Sequence, residues 1–200
     1  MQKILWPLLL AALPVWASDA PSGCARLCGN WTLDATRSES ADAAVDAALE
    51  KYKEPKAHKQ AVMPLNPDQP LSATNTQVYL GPIAGPPTKA EMRSRLLALL
   101  APPASLTVAA NGDEILIRPP GGPERHAFPG EPHSRIDAEG TATIHTQWEK
   151  DTLVIDETYR HGYWQTDSFA PLADGTLQLT RVVDRPGVSK LRLRAVYRRG

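Results

Sequence analysis

From residue 104 onward apolar side chains recur at every second position, whereas before it they recur at helical spacing, so the chain divides into a helical first part and a β second part. In the second part the alternation predicts strands over 105–110 and 114–118 around an Asn111-Gly112-Asp113 hairpin signal, ended by the stretch 119–123. Further strands follow over 141–149, 152–160, 163–172, 176–184 and 190–199. In the first part, 29–34 reads as a short strand. Ser38 or Ser40 then caps a helix reaching to about Lys53, with Ala44, Val45, Ala48, Leu49 and Tyr52 on one face and Asp42, Asp46 and Glu50 on the other, a solvated acidic stripe. Thr88-Lys89-Ala90-Glu91 is a capping box that opens a second helix over 89–100, stopped by Pro102-Pro103.

The turns between the last strands set a register. If Lys150-Asp151, His161-Gly162 and Asp174-Gly175 are two-residue turns, Trp148 falls opposite Leu153, Tyr159 opposite Trp164, Leu172 opposite Leu177 and Ala170 opposite Leu179. All of these share one face, while His145, Gln147, Asp156, Thr158, Arg160, Gln165, Asp167, Gln178 and Thr180 collect on the other. Keeping Leu191, Leu193, Ala195 and Tyr197 on the apolar face requires an odd-length connection over 185–189. The expected architecture is mainly β: an antiparallel up-and-down meander closing into a barrel, preceded by two helices and a proline-rich wrapping segment.

Composition narrows the class. Lys+Arg and Asp+Glu balance at 22 each, which excludes a polycationic nucleic-acid binder, and most of the 19 prolines fall between Pro55 and Pro132, which excludes a regular helical bundle. Residues 1–17 read as a secretion signal: Lys3, an apolar run over 4–13 and a Val15-Trp16-Ala17 end. The expected order is a signal over 1–17 and one barrel domain over 18–200, with the first strand and helix in 29–54, the proline-rich insertion in 55–103 and the meander in 104–199. A periplasmic or secreted location follows, and no transmembrane segment is expected in the mature chain.

Cys24 and Cys28, the only two cysteines, are expected to form one disulfide in an oxidising compartment. Two other readings attach to them: a Cu(I) or redox pair, and lipidation at Cys24, since Ser22-Gly23-Cys24 ends like a lipobox, although Pro21 stands where an aliphatic residue belongs.

Gly29-x-Trp31, a following helix and a meander ending in Tyr197-Arg198-Arg199 resemble the lipocalin-type (calycin) barrel, in which an early Trp packs near a basic residue of the last strand. The Gly-x-Trp-x-Leu-Asp-x-x-x-Ser pattern of Gly29, Trp31, Leu33, Asp34 and Ser38 is also similar to exported bacterial proteins of uncharacterised role. The resemblance implies a binding barrel for a small apolar or amphipathic molecule.

Two charges break the apolar face. Glu157, flanked by Ile144 and Thr166, and Arg181, opposite Ser168, need partners there. They form an internal salt bridge, sit near the barrel rim, or make the polar anchor of a pocket lined by Trp148, Tyr159, Trp164 and Tyr197, suited to an aromatic or acidic ligand. Arg192, Arg194 and Arg198 alternate outward on the last strand, as protection of an edge or as a surface for an anionic envelope component. The latter defines the alternative, a non-catalytic envelope protein with a packed barrel. His58, His126, His133, His145 and His161 are scattered, and no phosphate loop or dinucleotide fingerprint is present, so neither cofactor nor metal nor enzymatic activity is expected. His126 and His133, with Glu124 and Glu131 in the same loop, are the one pair that could converge on a metal.

Overall fold

The computed structural model describes residues 24–54 and 87–200 apart from Ala138 and His161. The secretion signal over 1–17, the wrapping segment over 55–86, His58 and His161 lie outside the described residues.

Among the described residues, ten antiparallel strands form one curled sheet with the topology of a lipocalin-like barrel. In chain order they are β1 (Gly29–Leu33), β2 (Ser105–Asn111), β3 (Glu114–Arg118), β4 (Arg125–Ala127), β5 (His133–Asp137), β6 (Gly140–Glu149), β7 (Thr152–Tyr159), β8 (Trp164–Pro171), β9 (Leu177–Asp184) and β10 (Leu191–Arg199). The spatial order β4-β3-β2-β1-β10-β9-β8-β7-β6-β5 pairs the first strand with the last and leaves β4 and β5, neighbours in sequence, as the two sheet edges. Their connecting loop reaches past β5 instead, and Gly130 N–H donates to Thr146 O of β6 at 2.8 Å.

Three helices among the described residues accompany the sheet: α1 (Cys24–Leu27), α2 (Ala41–Ala48) and α3 (Lys89–Leu100). Ser40 caps α2, which buries Val45 and Ala48 and ends at Ala48, short of Lys53. In α3 both halves of the capping box form, Thr88 accepting from Glu91 N–H while the Glu91 carboxylate accepts from Thr88 N–H, and Met92, Leu96 and Leu100 are buried. The acidic stripe of α2 is not merely solvated. Arg93 of α3 pairs with Asp42 and Asp46, each at 2.7 Å, and joins the two helices.

Cys24 and Cys28 are paired as a disulfide, which engages the Cys24 sulfur that lipidation or copper would require. Behind it, Trp31 is fully buried, its Nε1–H donating to Leu27 O at 2.8 Å, and the Arg199 guanidinium sits 5.0 Å from the indole centre. Gly29 holds φ 145°, where an added Cβ would meet Arg199 at 3.6 Å. Asp34 and Ser38 then bind the chain down: the Asp34 carboxylate accepts from Thr36, and Ser38 Oγ accepts from Val196 N–H of β10 at 2.9 Å. Every residue of the Gly-x-Trp-x-Leu-Asp-x-x-x-Ser pattern therefore sits at the junction of β1 with β10.

The register holds from β6 to β7, where Trp148 lies opposite Leu153 and Lys150 takes φ 59° in the two-residue turn. At the next two turns it slips by one residue each time. Tyr159 N–H donates to Tyr163 O across three intervening residues, with Gly162 at φ 76°, and Thr158, not Tyr159, faces Trp164. Leu172 N–H likewise donates to Thr176 O, with Gly175 at φ 80°, and Pro171, not Leu172, faces Leu177. Three-residue turns closed by a left-handed glycine thus replace both expected two-residue turns. The slips cancel: β9 and β10 keep their faces, with Leu177, Leu179, Leu191, Leu193, Ala195 and Tyr197 buried, and β8 alone is inverted. Gln165, Asp167 and Phe169 point inward, and Trp164, Thr166 and Ser168 outward.

Candidate functional site

The inversion of β8 supplies the partner that Arg181 needs. Asp167, fully buried, lies directly opposite Arg181 on β9, which donates from Nε and Nη2 to its two oxygens at 2.7 and 2.9 Å. Burial works against an ionised Asp167, but the Arg181 and Arg125 guanidiniums outweigh it and hold its carboxyl well below the usual carboxylate range. Arg181 spends its remaining Nη1 on Leu99 O at 2.8 Å, one of the carbonyls that the C-terminal turn of α3 leaves without a helical partner. The Arg181 side chain thereby ties the end of α3 to the sheet.

Glu157, 3% exposed, sits on β7 between Ile144 and Gln165. It does not pair with Arg181. Two arginines from the two sheet edges meet on it: Arg125 of β4 reaches Oε1 at 2.7 Å, and Arg135 of β5 reaches Oε2 at 2.9 Å. Arg125 continues to Asp167 Oδ2 at 2.5 Å, and Arg135 to Asp137 Oδ2 at 3.0 Å. Tyr159 completes this end by donating to Asp137 at 2.8 Å, and burial, reinforced by Asp137 and Glu157, pushes its hydroxyl up to about 12. Tyr163 donates to Gln165, whose amide donates in turn to Asp167. Five strands, β4, β5, β7, β8 and β9, are thus joined by one chain of charge-assisted hydrogen bonds in which three guanidiniums meet three carboxylates.

These groups, the fully buried Asp167 apart, form one wall of a cavity of about 630 Å³. The other wall is apolar: Leu99 and Ala101 at the end of α3, then Pro103, Leu106, Ile117, Phe169 and Leu179. A volume in this range, with a few convergent polar groups on an apolar surround, suits a small organic molecule. Ile136, 82% exposed, stands at the rim on β5, the one large apolar residue so exposed among the described residues.

Of the residues expected to line a pocket, Glu157, Tyr159 and Arg181 do so. Three do not. Trp164 is turned outward with the rest of β8, and the Lys190 ammonium lies 4.6 Å from its ring centre. Trp148 shares the inner face but stands next to the β6–β7 turn, away from the cavity. Tyr197 is wholly buried in the packed core, its hydroxyl donating to Pro103 O at 3.1 Å.

The outward arginines of β10 do not protect an edge, because β10 is an inner strand between β1 and β9. Arg194 faces Glu39 at 3.6 Å and Arg198 faces Asp34 at 3.2 Å, while Arg192 is exposed. His126 and His133 do not converge: His126 approaches Glu114 at 2.5 Å on β4, and His133 stacks edge-on against Phe128 at 5.1 Å on β5.

The cavity residues that the sequence does not single out are Arg125, Arg135, Asp137, Tyr163 and Gln165, together with the buried Asp167 that holds Arg125 and Arg181. Arg125 and Arg135 sit on short strands inside what reads as a Pro/Gly loop. Gln165 and Asp167 were assigned to the outer face by the two-residue turns. The missed signal is the third-position glycine in Arg160-His161-Gly162 and Ala173-Asp174-Gly175, which suits a three-residue turn closed in the left-handed region.

No protein-family model and no curated protein matches the chain. Among solved structures, a REP1-NXSQ fatty acid transporter is similar over 88% of this chain and 97% of its own, at 15% identity and a TM-score of 0.46. The N57A mutant of the fluorescent protein UnaG is similar over 88% and 98%, at 14% identity and 0.47. A secretory abundant heat soluble protein from Ramazzottius varieornatus is similar over 88% and 96%, at 12% identity and 0.48.

Proposed function

We propose that this chain is an exported, periplasmic binding protein, without catalytic activity of its own, that holds a small apolar or amphipathic molecule inside its barrel. The observation that carries the reading is the cavity of about 630 Å³ between the end of α3 and the inner face of the sheet, walled on one side by apolar residues and on the other by ordered polar groups. Export is supported by the signal-like run over 1–17 and by the disulfide between Cys24 and Cys28, which persists in an oxidising compartment.

Binding is tested with an uncharged hydrophobic fluorophore titrated into the protein and into Leu99→Trp, which fills the cavity from the α3 side. The wild type is expected to enhance and saturate the emission, with the variant at least about tenfold weaker at an unchanged melting temperature. Equal binding by both proteins, or none by either, overturns the reading. Export is tested by expressing the full chain in a Gram-negative host. Periplasmic recovery of a product beginning at residue 18 is expected, and retention of the uncleaved chain in the cytoplasm rejects it.

A further inference from the structure

An acidic ligand was one of the expectations that Glu157 and Arg181 raised. Resting on the cavity-binding reading above, we propose a narrower ligand class: the site takes an uncharged molecule with a hydrogen-bond-accepting head, such as an alcohol, ester or ketone, and discriminates against carboxylates and ammonium groups on the same hydrocarbon.

Each ionised side chain that the described residues contribute to the lining already has an opposite charge within reach. Arg181 is held by Asp167 at 2.7 Å, Arg125 by Asp167 and Glu157 at 2.5 and 2.7 Å, and Arg135 by Glu157 and Asp137 at 2.9 and 3.0 Å. At the margin, Glu139 is held by Arg185 at 3.1 Å and Glu124 by Arg118. A ligand carboxylate would find no guanidinium to itself. Accepting from Arg125, Arg135 or Arg181, it would set a further anion beside Glu157 or Asp167, carboxylates of 3% and 0% exposure that already share those guanidiniums, and the like charges repel. An ammonium meets the mirror problem, because Asp137, Glu157, Glu124 and Glu139 are already bound to arginines.

A neutral acceptor meets neither. Arg125 lines the cavity and gives two hydrogen bonds to carboxylates, whereas a guanidinium carries five N–H donors. A ligand hydroxyl or carbonyl accepts one of the others with both ion pairs intact, and the hydrocarbon lies against Leu99, Leu106, Ile117, Phe169 and Leu179. A site whose charges are already paired rewards a dipole and penalises a charge of either sign.

The test is competition against the same uncharged fluorophore by four chain-matched ligands: dodecan-1-ol, methyl dodecanoate, dodecanoate and dodecylammonium. At about pH 8 the last two carry full and opposite charges. The alcohol and ester are expected to displace the probe at concentrations at least about tenfold lower than either ion. Displacement by dodecanoate as good as or better than that by the alcohol overturns the proposal while leaving the cavity-binding reading standing. If the fluorophore itself does not bind, both fall. Asp137→Asn, at the half-exposed end of the network, removes one countercharge from Arg135. It is expected to improve dodecanoate at least about tenfold relative to dodecan-1-ol, with thermal unfolding reporting that the variant is folded. A uniform change for all four ligands counts against the proposal.

Discussion

The sheet is held at two junctions by different means. Where β1 meets β10, a backbone ladder pairs Trp31 with Arg199, Thr32 with Arg198 and Leu33 with Tyr197, and behind it Trp31, Leu193, Ala195 and Tyr197 pack as a dry core. Where β4 faces β5, no ladder forms, and two arginines, one from each edge, grip a single carboxylate, Glu157. The first junction is held by its ladder over a non-polar interior, whereas the second rests on the ion pairs around one buried glutamate. The cavity adjoins the second. The laddered junction thus lies where the core is filled, and the junction with fewer backbone constraints lies beside the space.

The largest expected effect that would break this contrast is that of Asp167→Ala. It strands Arg181 and Arg125 without their shared countercharge, and the loss should be about 3–5 kcal/mol in denaturant unfolding. A loss under about 1 kcal/mol would mean that the network contributes little to the fold.

Next comes Glu157→Gln, which releases both edges. Hydrogen exchange should accelerate in β4 and β5 while the amides of β1 and β10 keep their protection, and equal acceleration at both junctions would remove the distinction.

Acidity sharpens it further. Asp167 and Asp137 have folded-state carboxyls lowered by their arginine and tyrosine partners, so their stabilisation is present above the unfolded carboxylate value of about 3.9 and is lost as pH falls below it. At the alkaline end Tyr159, raised to about 12, stabilises the fold below the ordinary tyrosine value of about 10 and loses that contribution as pH climbs from there to about 12. Thermal unfolding across pH should show both flanks, and Asp167→Asn should flatten the acid one.

The smallest effect is that of Arg199→Ala at the laddered junction. Its ring contact and its bonds to the Arg26 and Cys28 carbonyls are exposed, and about 1 kcal/mol is expected in thermal unfolding, with no change at the cavity.

The parts of the fold legible in the sequence are those with local rules. The capping box at Thr88 and the two prolines after Leu100 bounded α3, and Lys150-Asp151 set β6 against β7, because each is decided by a few adjacent residues. The parts that were not legible depend on distant ones. The strand of Arg125 has three residues between Pro123 and Pro129, and only its position across the interior from Glu157 and Asp167 gives it meaning. Asp167 was misplaced for a subtler reason. An alternating strand with Thr166, Ser168 and Ala170 on one face and Gln165, Asp167 and Phe169 on the other has no strongly apolar side, so the turns alone decided its orientation. Glu157 and Arg181 stood out because β7 and β9 are otherwise clearly two-sided.

The paired turns around β8 also govern how this interior can change over generations. Losing one residue from either turn alone would flip every strand beyond it and expose the whole apolar face of β9 and β10. Losing one from both would rotate β8 and leave the rest of the barrel as it is, exchanging Asp167 and Gln165 for Ser168 and Thr166. Deletion therefore takes Asp167 out of the interior only in two coordinated steps, with Glu157, Arg125, Arg135 and Arg181 still facing in, and point substitution within the network is the gradual route that remains.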